Sequence, residues 1–367
     1  MSAAPPPENA ALKDWFDEAR HRQLARELAA LSPGFEPRLF LRLCLEGLAG
    51  RSLMQRLHQC ALAFHAAQSG SYRQKVALLK RLMPQIGHAF VAIFPCDFVA
   101  SFGLEDFEFS MRALKFFTPF GSAEFAVRPF IAADQGRALA IMQQWADDPC
   151  EHVRRLASEG SRPRLPWGTR LNALVRDPRP CAALLDQLKD DPSEYVRRSV
   201  ANHLNDISKD HPQWLLSFLG NWDLQQPSAR WIARHACRSL IKQGDAGALK
   251  LLGFGASAKV EASLSLAPAR LRLGEHLQLR VSLRSTSRQR QRLAVDYALE
   301  YARAGGRTSI KVFKWKELEL AAGVELVLEK RQLIRDFSTR RHHGGRHRVE
   351  VQVNGQRLAQ ASFELLV

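Results

Sequence analysis

Apolar residues recur at three- and four-residue spacing up to about residue 255, and at every second position beyond it. The first pattern predicts amphipathic helices at 11–31, 36–48, 52–68, 72–85, 104–117, 122–132, 136–146, 150–159, 178–189, 193–205, 212–220, 228–242 and 245–252, punctuated by Gly, Pro and Asp. The second predicts seven strands, at 260–266, 276–284, 293–301, 309–315, 324–334, 346–353 and 357–366. An immunoglobulin-type β-sandwich is the usual arrangement of seven short strands in a segment of this size. That segment contains no cysteine, which excludes a disulfide between its sheets. The expected architecture is therefore a short disordered tail at 1–10, an all-α domain at 11–255 and an all-β domain at 256–367.

The helical part repeats itself. Asp148-Pro149-Cys150-Glu151-His152-Val153-Arg154-Arg155 returns as Asp191-Pro192-Ser193-Glu194-Tyr195-Val196-Arg197-Arg198 after 43 residues, and 229–237 is a weaker third copy. Two helices per period of this length read as a HEAT-like solenoid. Val153, Leu156 and Ala157, then Val196, Val200 and Leu204, form the stripes expected between neighbouring repeats. Arg155 and Glu159 share a different stripe, as do Arg198, Asn202 and Asp206. The offset maps Glu159 onto Asn202, one turn before Asp206, so stacked helices would bring Glu159 and Asp206 near each other. The bland alternative is a pair of solvated acids.

The stretch from Ala157 to Trp167 argues for more than that. Glu159 stands at the exit of a helix, where the dipole disfavours an anion. Arg162 and Arg164 follow, held extended by Pro163 and Pro166, and could attract a polyanion. Trp167 comes after a proline in a polar loop, which separates it from core tryptophans such as those expected at 15, 145 and 214. An acid placed beside polyanion-seeking arginines suggests chemistry on nucleic acid.

Composition narrows the class. The chain of 367 residues is 46% hydrophobic, enough for real cores. Its longest apolar run, His88 to Phe102, is broken by Pro95 and Asp97, so no membrane span is expected. The N-terminus lacks the basic and apolar regions of a signal peptide. Cysteines at 44, 60, 96, 150, 181 and 237 show no Cys-x-x-Cys pair and no metal-ligand spacing, and read as reduced, buried thiols of a cytoplasmic protein. His342, His343 and His347 lie among arginines that would repel a cation, so no metal is expected. Net charge is +16, of which 256–367 carries +10, with 21 Lys and Arg against 11 Asp and Glu. The Gly-bearing loop from Ser338 to Arg348 concentrates that charge, and Arg340, Arg341, His342, His343 and Arg346 are its candidate DNA contacts.

Taken with 202–212 and 122–130, the stretch from Ala157 to Trp167 resembles the helical-repeat DNA glycosylases of the AlkC/AlkD type, and the β-domain points to the AlkC branch. The resemblance spans essentially the whole chain. It implies excision of N3-methylated bases, chiefly 3-methyladenine and 3-methylcytosine, from duplex DNA without base flipping. It makes Glu159 and Asp206 the leading catalytic candidates, with Glu124 at the family's third acidic position. Glu124 has a competing reading as an acid in the first turn of a helix, favourably placed on the dipole. Trp167 would contact the deoxyribose or an exposed base, and Arg155, Arg162, Arg164 and Lys209 would hold phosphates. Alkylated double-stranded DNA is the expected partner of a monomer without cofactor, associated with the nucleoid. Two other classes stay open at this point: a non-catalytic HEAT-repeat module that binds DNA, and a protein-interaction scaffold.

Overall fold

Local chemistry sets the helix ends. Asp17 accepts from the amide of Arg20 and opens α1 (Glu18–Leu31). After α2 (Pro37–Leu45) and α3 (Leu53–Ala67), Ser71 and Gln74 form a reciprocal capping box that opens α4 (Tyr72–Ile86). A computed structural model, the structure describes residues 12–255, 258–336 and 341–367. The expected tail at 1–10, and Arg340, lie outside the described residues.

The chain divides into two compact units between Asp210 and His211. The first continues with α5 (Phe94–Phe102), α6 (Phe107–Phe117), α7 (Arg128–Ala133), α8 (Gln135–Trp145), α9 (Glu151–Gly160), α10 (Asn172–Arg176), α11 (Ala182–Gln187) and α12 (Glu194–Ile207). The apolar run that hid α5 is helical because Pro95 sits in the first turn, where its missing N–H costs nothing. The helix expected from residue 122 begins only at Arg128, since 124–127 form a turn. Glu124 is therefore not a first-turn acid, and its dipole explanation falls.

The repeat is visible atom by atom. Arg154 Nη1 donates to the carbonyls of Asp148 and Pro149, and Arg197 Nη1 donates to those of Asp191 and Pro192. Asp148 and Asp191 accept from the amides two residues on, at Cys150 and Ser193, each at 2.8 Å. Arg154 then reaches across to the Asp191 carboxylate and ties one repeat to the next. The predicted stripes of Val153, Leu156 and Ala157, and of Val196, Val200 and Leu204, are buried where α9 packs on α12.

The second unit starts with α13 (Pro212–Gly220), α14 (Pro227–Ala236), α15 (Arg238–Gln243) and α16 (Ala246–Leu251). Among the described residues eight strands follow: β1 (Val260–Ala267), β2 (Arg270–Arg272), β3 (His276–Ser285), β4 (Gln291–Ala302), β5 (Thr308–Leu320), β6 (Glu325–Leu333), β7 (Gly345–Val353) and β8 (Gln356–Leu366). One sheet has the order β1-β3-β6 and the other β2-β8-β7-β4-β5, every pairing antiparallel except β2 with β8. Seven strands match the expected ones, and the eighth, β2, is too short for alternation to reveal. Inward residues such as Val281, Leu283, Val295, Tyr297, Val351 and Phe363 fill the space between the sheets.

The unit boundary precedes the change from helix to strand because α13–α16 pack with the sandwich. Arg234 on α14 pairs with Glu317 on β5. The turn after α15 meets the β7–β8 turn at two glycines, and a Cβ built on Gly355 would lie 2.0 Å from Gly244 Cα. Both glycines have positive φ, 76° and 74°, which a side chain would strain further.

Candidate active site

The site is built where α9 ends. Gly160, its last residue, lies so close to α7's approach that a Cβ there would meet Val127 Cγ2 at 2.4 Å. Close packing lets the chain turn at once, and Ser161 Oγ donates back to the Ala157 carbonyl at 2.7 Å. The turn aims Arg162 inward, where it is only 7% exposed. Its Nη1 donates to Glu159 at 2.7 Å and its Nε to Asp206, on α12, at 2.8 Å. The two acids expected to be neighbours are thus joined through one guanidinium. Burial works against the charge on Arg162, but Glu159 and Asp206 outweigh it and raise the pKa.

Each carboxylate has further partners. Ser199 Oγ donates to Glu159 Oε2 at 2.6 Å, and Lys209 Nζ to Asp206 Oδ1 at 3.0 Å. Arg155 lies 3.5 Å from Glu159 and also pairs with Glu124, whose carboxylate accepts from Ser122 at 2.7 Å. Arg155 stacks over the Tyr195 ring at 5.1 Å. Glu124, Arg155, Glu159, Arg162 and Asp206 form one continuous network, with Arg155 and Arg162 alternating between the acids.

Sequence reasoning missed the residue beneath that network. Arg128, at 1% exposure, donates Nη1 to the carbonyls of Gly160 and Arg162 at 3.0 and 2.8 Å, and Nε to that of Thr169 at 2.7 Å. It fixes both ends of the loop that carries Arg162 and Trp167. Burial, then repulsion from Arg162, brings its pKa down to about 10. The one sequence signal was an Arg-Pro pair where a helix starts, which reads equally well as an ordinary helix opening. Ser199 and His203 were also missed. His203, fully buried, faces the Ser158 carbonyl with Nδ1 at 3.0 Å, and burial pushes its pKa down to about 4.

Glu124, Arg155, Glu159, Arg162, Trp167 and Tyr195 line one cleft of about 490 Å³, with Phe120, Phe125 and His152 among its other walls. Asp206, 2% exposed, does not line it and stands behind Arg162. Trp167 is 67% exposed and has φ of 65°, a left-handed backbone rare for a bulky residue. Such an indole serves no core. Arg164 pairs with Asp210 at the cleft's flank at 2.7 Å, and Lys209 stays exposed beside Asp206.

Of the cations expected at phosphates, then, Arg162 is buried between acids, while Arg155, Arg164 and Lys209 keep a carboxylate partner. In the second unit Arg341 and Arg346 are exposed and His343 is half-buried. His342 is turned inward, accepted at both its amide and Nδ1 by Asp336 at 2.7 and 3.0 Å, with its ring against Tyr301. Its position is that of a support for the loop.

Residues 116–240, which contain this network, match the family described as DNA alkylation repair enzyme, and residues 260–367 match the C-terminal Ig-like domain of the uncharacterised protein YhaZ. YhaZ of Bacillus subtilis (strain 168) is 36% identical over 94% of this chain and 96% of its own length. The alkylpurine DNA glycosylase AlkC of Pseudomonas fluorescens, solved bound to DNA containing an abasic site analog, is 50% identical, with a TM-score of 0.94 over 98% of this chain and all of that one. The chain belongs to the AlkC family. Helical repeats followed by an Ig-like domain are thus the AlkC architecture, and the network lies within the part matched as a DNA alkylation repair enzyme. Among the described residues no helix is long and apolar enough to cross a membrane.

Proposed function

We propose that the protein is a monofunctional DNA glycosylase that hydrolyses the N-glycosidic bond of cationic N3-methylated bases, 3-methyladenine and 3-methylcytosine, in duplex DNA. The observation that carries this reading is the Glu159–Arg162–Asp206 bridge at the wall of an aromatic cleft. The AlkC relative at 50% identity, bound to DNA with an abasic site analog, supports it.

The chemistry suits the residues. A base alkylated at N3 already carries positive charge, so its bond to C1′ breaks with the electron pair leaving on a neutral base, and no general acid is needed. The positive charge passes to the sugar. Glu159 stabilises that oxocarbenium-like carbon, and a water attacks C1′ and gives its proton to a carboxylate. Arg162 holds, in the free protein, a positive charge between the acids; Asp206 reaches the sugar once Arg162 turns outward to a DNA phosphate. Arg155, Arg164 and Lys209 supply further phosphate contacts by the same exchange of partners, and Trp167 packs on the deoxyribose or an exposed base. Glu124 acts through Arg155 as the third acid.

The lesion is cut without being flipped into an enclosing pocket, as the resemblance to the helical-repeat glycosylases implies, and a leaving group that needs no activation does not require such a pocket. Neutral substrates such as uracil are then inert.

Single-turnover release of 3-methyladenine from duplex DNA tests the reading. Glu159→Gln and Asp206→Asn are each expected to lower the rate about 10²–10³-fold, the usual cost of one electrostatic stabiliser, with DNA affinity kept or raised. Rates within threefold of wild type for both variants would remove the assignment and favour a non-catalytic DNA-binding module.

A further inference from the structure

We propose that His21, Cys44 and Cys60 form a binding site for one thiophilic divalent ion of the zinc class inside the first unit. The residues come from α1, α2 and α3, of which α2 packs on both of the others. One ring nitrogen of His21 and the two sulfurs lie within 4.8 Å of one another, and all three side chains are buried, at 1%, 1% and 0% exposure. Among the described residues no other three His, Cys, Asp or Glu side chains converge in this way. No local spacing announces the set, because each ligand sits on a different helix.

The histidine is prepared for the role. His21 Nδ1 lies 2.7 Å from the carbonyl oxygen of Asp17. A carbonyl only accepts, so Nδ1 carries the proton and Nε2 keeps the lone pair, the tautomer of a metal-bound imidazole whose second nitrogen is anchored to backbone. A neutral imidazole is the form that binds metal.

Charge selects the ion. A divalent ion displaces the two thiol protons to solvent, and M²⁺ with two thiolates and a neutral imidazole sums to zero, the charge a dry interior tolerates best. A monovalent thiophile would leave a net negative charge there. Three protein ligands are the number found where zinc keeps one position for water.

The test uses the full chain, stripped with a chelator and titrated with Cd²⁺ and then Zn²⁺ under reducing conditions. The expected result is one Cd²⁺ per chain with thiolate charge-transfer absorption in the near ultraviolet, and a rise in Tm on adding Zn²⁺. Cys44→Ala/Cys60→Ala is expected to lose both signals, and Cys150→Ala, on the approach to α9, to keep them. Binding that persists unchanged in the double variant, or a wild-type chain that gives no charge-transfer band, overturns the site. Should the double variant fail to fold, X-ray absorption on the zinc-loaded wild type decides: two sulfur neighbours at about 2.3 Å are expected, and a shell of nitrogen and oxygen alone overturns it.

Discussion

Arg162 Nε donates to Asp206 Oδ2 at 2.8 Å, although 44 residues separate the two in sequence. Asp206, in turn, is shielded from the cleft by the arginine it holds. Replacing Arg162 by Met leaves Asp206 and Glu159 buried with one cation fewer between them. Removing one partner of a buried pair costs about 3–5 kcal/mol. Urea denaturation at neutral pH is expected to show a loss on that scale for Arg162→Met and a smaller one for Arg162→Lys, which keeps charge but not the fork. An unchanged midpoint for Arg162→Met would mean that the bridge adds nothing to the free protein.

His203 gives the protein an acid-side weakness. In the unfolded chain it titrates near 6.5, and in the fold at about 4. Between those values the unfolded state binds the proton and the native state does not, so stability falls as pH drops from 6.5 towards 4 and its full loss is reached below 4. At pH 5 this one group removes about 2 kcal/mol relative to pH 7. The difference in urea stability between pH 7 and pH 5 should shrink by about that amount in His203→Gln. An equal difference in both proteins would place the acid sensitivity elsewhere.

Trp167 separates function from stability. Its left-handed backbone costs about 1–2 kcal/mol that glycine would not pay, while its exposed ring contributes little to any core. Trp167→Gly is therefore expected to match or exceed wild type in Tm. In base release from methylated duplex DNA it should fall roughly 5–150-fold, the worth of about 1–3 kcal/mol of stacking. A variant that is both less stable and fully active would show that the indole is structural.

Arg341, before β7, and Arg346, the second residue of that strand rather than a loop residue as expected, are both exposed, so their double replacement by alanine is expected to weaken DNA binding through lost counterion release. The slope of log K against log salt should diminish by up to about 1.8, at about 0.9 per phosphate contact. His342→Ala, by contrast, removes a buried loop support and should act on loop order more than on the slope. Fluorescence anisotropy over a salt series distinguishes the two, and an intact slope in the double variant would put the loop in solvent.

Periodicity exposed most of the fold, because a helical stripe and an alternating strand both mark one buried face. It failed at α5, where the apolar residues surround the helix, and at β2, which is three residues long. The 43-residue repeat carried Glu159 and Asp206 to adjacent helices, since a stacked repeat converts sequence offset into distance. The direction of the arginines was not legible. Arg162 has the composition of a phosphate contact and is buried between acids, a choice made by the tight turn after Gly160. Arg128 was hidden for the same reason: the carbonyls it serves lie more than thirty residues later.

Gly244 and Gly355 meet backbone to backbone, with no side chain between them. Neither position can change alone, because the obstacle to a new side chain is the other main chain, which no compensating substitution can trim. Two loops more than a hundred residues apart are thereby bound to a common history: an insertion in one must be answered in the other, and a graft of this sandwich onto another helical scaffold fails unless α13–α16 travel with it.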